Sequence, residues 1–284
     1  MSPSAQLELR FGIARRLGLD TRTLFEGETP RFRWVDEARF KHLAGENGVE
    51  LAGITSFGHS VAAIATAALS SDSGRLGSAS ELRAEILATG RPYVDLLDLL
   101  SLSWALAIPV LQLRVFPWPR KRMAAMAIAT DHAFAALVGK ESRYPATIAF
   151  YVAHELGHIA LGHLGPRRQI VDLEDDGPVS GDRDGEDKAA DAFALELLTG
   201  SPSPIVLPEH AGQGSAAELA RIAVRSAHSL RIEPGTLALC FGYSTGDWGA
   251  TNAALARIYR GGQPVWRTLS HIADQQLAID SLPL

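Results

Sequence analysis

The stretch from Pro145 to Leu164 leaves this chain the least freedom. Pro145 suits the first turn of a helix, where a missing N–H is no loss, and no further proline comes before Pro166. Ile148, Val152, Ile159 and Leu161 supply the apolar surface that such a helix buries. Within it stands His154-Glu155-Leu156-Gly157-His158. At about 3.6 residues per turn, the two histidines lie one turn apart on one face. Both imidazoles can then reach one tetrahedral ion, as zinc prefers. Glu155 is rotated by roughly 100° from His154. It can miss the ion and hold the activated water as general base. Two histidines on an ordinary helix are the plain alternative. Against it stand Gly157, expected to leave the space beside the site open, and a ligand candidate downstream.

One class of zinc site takes a histidine six residues after the second motif histidine, but Leu164 stands there. His163 comes one residue early, about 180° around the helix from His154. It reads as a helix C-terminal residue, where positive charge is favoured. A second expected helix, Glu186 to Leu198, offers a carboxylate instead. Asp187 and Asp191 fall one turn apart on it. Asp187 can bind the ion while Asp191 accepts the other N–H of a motif histidine and fixes its tautomer. Ala189, Ala190, Ala192 and Ala194 would let the two helices approach closely. Acidic residues are also what any helix N-terminus favours.

At these residues the sequence resembles the ImmA/IrrE-type zinc metallopeptidases. The likeness starts at Arg143-Tyr144-Pro145, passes through His154-Glu155-Leu156-Gly157-His158 and reaches His163. It resumes at Asp187-x-x-Ala190-Asp191-x-Phe193-Ala194-x-Glu196-Leu197-Leu198, and covers roughly residues 80–200. Family members usually present Glu at the position of Asp187 and Asn or Asp at that of Asp191. The shorter Asp187 departs from that pattern and leaves Asp187 or Glu186 as the third ligand. The resemblance implies a cytoplasmic zinc endopeptidase: Zn2+ on His154, His158 and Asp187, Glu155 as general base, and a protein substrate. The family's theme is cleavage of helix-turn-helix repressors, which derepresses stress or mobile-element genes. Tyr151, His210 and His228 are candidates for the donor that steadies the tetrahedral oxyanion.

The rest of the chain predicts an α+β, mainly helical fold: a zincin-like peptidase core with a small antiparallel sheet packed on the motif helix, and helical flanks. Strands are expected at Ile108–Phe116, Met123–Ala129 and Phe134–Val138, and helices from Ser80 and over Asp95–Leu106. Three regions follow: residues 1–75, helical and of unclear role; 76–200, the peptidase domain; and 201–284, possessing short helices in a helix-turn-helix-like order. Leu9, Ile13 and Leu17 suggest a buried helical face before the turn at Gly18-Leu19-Asp20. Ser70 to Ser80 reads as a linker or mobile loop, and Gly165 to Gly185, rich in carboxylates, as a solvated loop.

The 284 residues carry a net charge of −5, which disfavours a general nucleic-acid coat. Basic and aromatic residues interleave at Arg31-Phe32-Arg33-Trp34 and Arg39-Phe40-Lys41, and again from Arg114 to Arg122. They keep a second function class open: a non-catalytic regulatory or DNA-associated binding protein that retains a zinc site. Cys240 is the only cysteine, so no disulfide closes within the chain, and a merely structural zinc, usually closed by four protein ligands, is disfavoured. Apolar runs such as Val61 to Leu69 are too short to span a bilayer, and the first residues lack a secretion signal. A soluble cytoplasmic protein without membrane contact is expected.

Overall fold

A computed structural model describes residues 2–16, 18–22, 38–40, 48–69, 73–114, 123–131, 133–165, 169–173, 185–205 and 215–277. The N-terminal part holds α1 (Pro3–Arg16), β1 (Ala38–Phe40) and α2 (Gly48–Ala67). Then come α3 (Ala79–Ala88), α4 (Leu96–Ala105), β2 (Val110–Gln112), β3 (Met123–Ala129) and β4 (Phe134–Val138). The motif helix is α5 (Pro145–Ala160), followed by β5 (Gln169–Leu173) and α6 (Gly185–Thr199). The chain closes with α7 (Ala216–Leu230), α8 (Pro234–Thr245), α9 (Trp248–Ile258) and α10 (Val265–Gln276). The fold is α+β and mainly helical.

The sheet departs from expectation. Its order is β1-β5-β3-β4-β2, and it is mixed rather than antiparallel. The central strand β3 runs antiparallel to both β4 and β5, whereas β1 joins β5 and β2 joins β4 in parallel. Chain connectivity explains the mixture. A short turn, with Thr130 N–H donating to the Ala133 carbonyl at 2.8 Å, makes β3 and β4 an antiparallel hairpin. α5 then carries the chain across the sheet, so β5 returns parallel to β4 with β3 between them. β5 lies inside the stretch expected to be a solvated loop; its Gln-Ile-Val-Asp-Leu alternation is a strand pattern overshadowed by the acidic residues after it. Of the strand expected over Ile108–Phe116, Val110–Gln112 forms β2, and residues 115 and 116 lie outside the described residues.

The period of two sorts the strands into two cores. Ala127, Ala136, Val138 and Ile170 face α3, α4, α5 and α6 in the main core. Met126, Ile128, Leu137 and Val171 face the opposite way, against Ile54 and Ala62 of α2. Gly58 makes that second contact close: a Cβ there would stand 2.7 Å from the Met126 sulfur. The N-terminal region therefore covers β3, β4 and β5 on the face of the sheet opposite α5.

Several local expectations shift. α1 forms, but Leu9 is 52% exposed; α1 instead meets α2 at its C-terminal end, through buried Ala14 and the Ser56 hydroxyl donating to the Gly18 carbonyl at 2.6 Å. The cap of α3 is Ser78 rather than Ser80, in a capping box with Glu81. The segment expected to be a linker is pinned where it is described. The Ser73 hydroxyl donates to the Ala107 carbonyl and accepts from Phe134 N–H, both at 2.8 Å. Residues 31–37, Lys41, 70–72, 115–122, 174–184 and 206–214 lie outside the described residues, and with them most of both basic–aromatic segments and His210. Arg114 stacks on the Trp266 ring at 4.0 Å.

α7, α8 and α9 form a bundle with its own core, built on Leu219, Ile222, Leu237 and Leu255. Several contacts fix it to the rest, among them an aromatic stack and a buried guanidinium. Tyr144, just before α5, stacks on Tyr259, just after α9, with ring centroids 6.1 Å apart. The buried Arg83 guanidinium of α3 donates to the carbonyls of Leu198 at 2.8 Å and Arg231 at 2.6 Å. It satisfies carbonyls that the ends of α6 and α7 leave without helical partners.

Candidate metal centre

α5 begins with Pro145 at its first position, as expected, and runs buried along most of its length. α6 packs alongside. Ala190 and Ala194 are fully buried at the contact, and Phe193 is nearly so. Gly157 serves this packing rather than leaving space. A Cβ on it would lie 3.1 Å from the Phe193 ring and 3.2 Å from the Ala190 carbonyl. The expected opening beside the site is thus filled by α6, and the absent side chain lets the two helices meet.

That approach brings three ligand atoms together. His154, His158 and Asp187 each offer one atom, all within 4.8 Å of one another. The two Nε2 atoms are 3.0 Å apart, and Asp187 Oδ1 lies 3.6 Å from His158 Nε2. Donor atoms 2.0–2.1 Å from a tetrahedral ion would stand roughly 3.3 Å apart, between these two separations. The set is two imidazoles and one carboxylate, a donor combination that zinc accepts. Glu186, the alternative ligand, sits beside Asp187 in the first turn of α6 but is not one of the three.

The outer nitrogens of both rings are engaged. His154 Nδ1 lies 2.9 Å from Asp191 Oδ1. An ionised carboxylate only accepts, so the ring proton belongs on Nδ1 and the Nε2 lone pair points inward. His158 Nδ1 lies 2.9 Å from His163 Nδ1. With His158 as donor in that bond, its Nε2 lone pair also turns inward. His163 is therefore more than a residue completing the helix end. Its ring reaches back from the turn after α5 to the second motif histidine. Helical angles placed it away from His154, and they do not apply once the helix ends at Ala160 and Gly162 takes φ +72°.

Burial is severe. His158 and Glu155 are fully buried, and His154 and Asp187 are each 4% exposed. Two imidazoles and two carboxylates are thus withdrawn from water between two helices. Buried polar and ionisable groups of this kind are hydrogen-bonded, paired or bound to metals. Tyr151 precedes Glu155 by one helical turn and is half-buried; His228 is exposed on α7. Comparison with protein-family models, with curated proteins and with solved structures finds no match to this chain. No helix among the described residues is long and apolar enough to cross a membrane.

Proposed function

We propose that the protein is a zinc-dependent endopeptidase of the ImmA/IrrE type, acting in the cytoplasm on a protein substrate, with a helix-turn-helix repressor as the expected kind. The observation that carries this reading is the convergence of His154, His158 and Asp187, with Asp191 and His163 holding the outer ring nitrogens. Zinc bound there supplies Lewis-acid chemistry: it polarises a carbonyl and makes water more acidic. The chain's own residues do the rest. Asp191 and His163 orient the two imidazoles. Glu155, next to His154 on the buried helix, takes the proton of the attacking water on a carboxylate oxygen and passes it to the nitrogen of the leaving amine. The packed α5/α6 contact excludes bulk water from one side of the ligands.

Metal content by mass spectrometry, on wild type beside His154→Ala and Asp187→Ala, is the first test. About one zinc per chain in the wild type, lost in both variants, supports the site. Chelator-sensitive cleavage of a repressor-type substrate, abolished in Glu155→Gln with zinc retained, supports the activity. A wild type that takes up no zinc on reconstitution removes the reading. The regulatory-binding alternative then stands in its place.

A further inference from the structure

An open groove of about 490 Å³ runs between α7 and α9, in the bundle that carries no part of the metal centre. Four arginines line it: Arg221 and Arg225 from α7, Arg257 near the end of α9, and Arg260 just beyond it. Val224 and Ile258 lie among them, and Val224 is 56% exposed, the most exposed large apolar side chain among the described residues. The helical spacing of α7 explains the arrangement. Residues 217, 220, 221, 224 and 225 share one face, and the opposite face, with Leu219, Ile222 and Ala223, is buried in the bundle.

Only one of the four charges is balanced from within, among the described residues. Arg221 forks onto both carboxylate oxygens of Glu218. Arg257 donates one N–H to the Ala253 carbonyl at 3.3 Å. Neither Arg225, Arg257 nor Arg260 makes an ion pair among the described residues. The chain as a whole carries −5, so a local excess of positive charge runs against its composition. Like charges gathered around apolar surface repel one another, and a partner of opposite sign relieves that repulsion. Guanidinium groups pair with carboxylates in a two-pronged geometry, and apolar side chains of the same partner can cover Val224 and Ile258. Single-stranded nucleic acid would instead want aromatic platforms, and the lining has no aromatic side chain.

We propose that the α7/α9 groove docks an acidic amphipathic segment of a partner protein. The site is independent of the metal centre and stands or falls without it.

Fluorescence anisotropy on the full chain tests this. The probes are a labelled helical peptide of Glu and Leu, the same peptide with Lys for Glu, and a labelled DNA duplex. The Glu peptide is expected to bind, and to weaken as salt is raised, because exposed charge pairs are screened. Arg225→Glu with Arg260→Glu should weaken it roughly tenfold, since two exposed charge pairs are lost together and reversal adds repulsion. Circular dichroism checks that the bundle stays helical. If it does not, Arg260→Gln alone, in the exposed turn after α9, should still weaken binding about twofold. Failure of the Glu peptide to bind overturns the proposal, as does equal binding of the Lys peptide or binding indifferent to the variants. Duplex binding lost in the arginine variants, without peptide binding, gives the groove to nucleic acid and overturns it too.

Discussion

The carboxylate of Asp191 stands 2.9 Å from the Nδ1 of His154, on a different helix and 37 residues along the chain. It fixes which nitrogen of that ring faces Asp187 and His158. Removing such a partner costs about 10- to 100-fold in metal affinity while the ligands themselves remain. Asp191→Ala should therefore bind zinc more weakly by that factor, and Asp191→Asn, which keeps an acceptor, should lose less. A competition titration with a chromophoric chelator reads the difference. Equal affinity in all three proteins would remove Asp191 from the site.

His163 is expected to do the same for His158, the second proposed ligand, through its 2.9 Å contact with His158 Nδ1. His163→Ala should lower zinc affinity by about tenfold. His163→Gln, whose amide oxygen can accept the His158 N–H, should restore part of it. NMR of the imidazole nitrogens would show the His158 tautomer becoming mixed in the Ala variant. An unchanged tautomer would leave His163 with only a structural part.

Gly157 sets the distance between α5 and α6. A methyl group there would press on the Phe193 ring and the Ala190 carbonyl at 3.1–3.2 Å. Overpacking of this kind typically costs about 1–3 kcal/mol. The better helix propensity of alanine returns roughly 1 kcal/mol. Gly157→Ala is thus expected to be destabilised by up to about 2 kcal/mol in urea unfolding. Its zinc affinity should fall too, because Asp187 rides on the helix that is pushed away. A variant stronger than wild type in both respects would mean that α6 yields freely.

Glu233 caps α8, accepting from Thr236 N–H at 2.8 Å and from the Tyr259 hydroxyl at 2.6 Å. Burial pushes its carboxyl above the usual glutamate range, and the hydrogen bonds from Tyr259 and the backbone offset only part of that shift. The folded state then holds a proton that the unfolded state has already released. Stability consequently falls as pH rises from about 4.3, the ordinary glutamate value, to the folded pKa, and is level above it. The slope within that window is at most about 1.4 kcal/mol per pH unit. Urea midpoints across this range should fall more steeply with pH in wild type than in Glu233→Gln, the difference being the part that Glu233 contributes. Parallel curves for the two proteins would mean that Glu233 is ionised throughout.

Much of this arrangement was legible in the residues. Met123–Ala129 and Phe134–Val138 read as strands because their runs are short and bounded by turn residues, and β3 and β4 match them end to end. α5 and α6 were readable from Pro145, the apolar spacing and the alanines of Glu186 to Leu198. Helical periodicity puts Asp187 and Asp191 on one face of α6, whereas the expectation that Asp187 or Glu186 joins the motif histidines comes from the family resemblance. What escaped was long-range or lay past a helix end. The parallel edges of the sheet depend on which strands meet across the chain, and no local pattern encodes that. Helical angles misplace His163 because they stop applying beyond Ala160. Gly157 suggests open space because a sequence shows the missing side chain but not the Phe193 ring that uses the gap.

The cover that α2 provides has a practical side for anyone handling this protein in pieces. A shortened chain starting at residue 76 would retain every proposed ligand, yet strip the shelter from Met126, Ile128 and Leu137. Those side chains would form an oily plane on β3 and β4, the kind of surface that drives aggregation. Loss of solubility in such a fragment would then reflect a missing lid on the far side of the sheet, and say nothing against the chemistry on the near side.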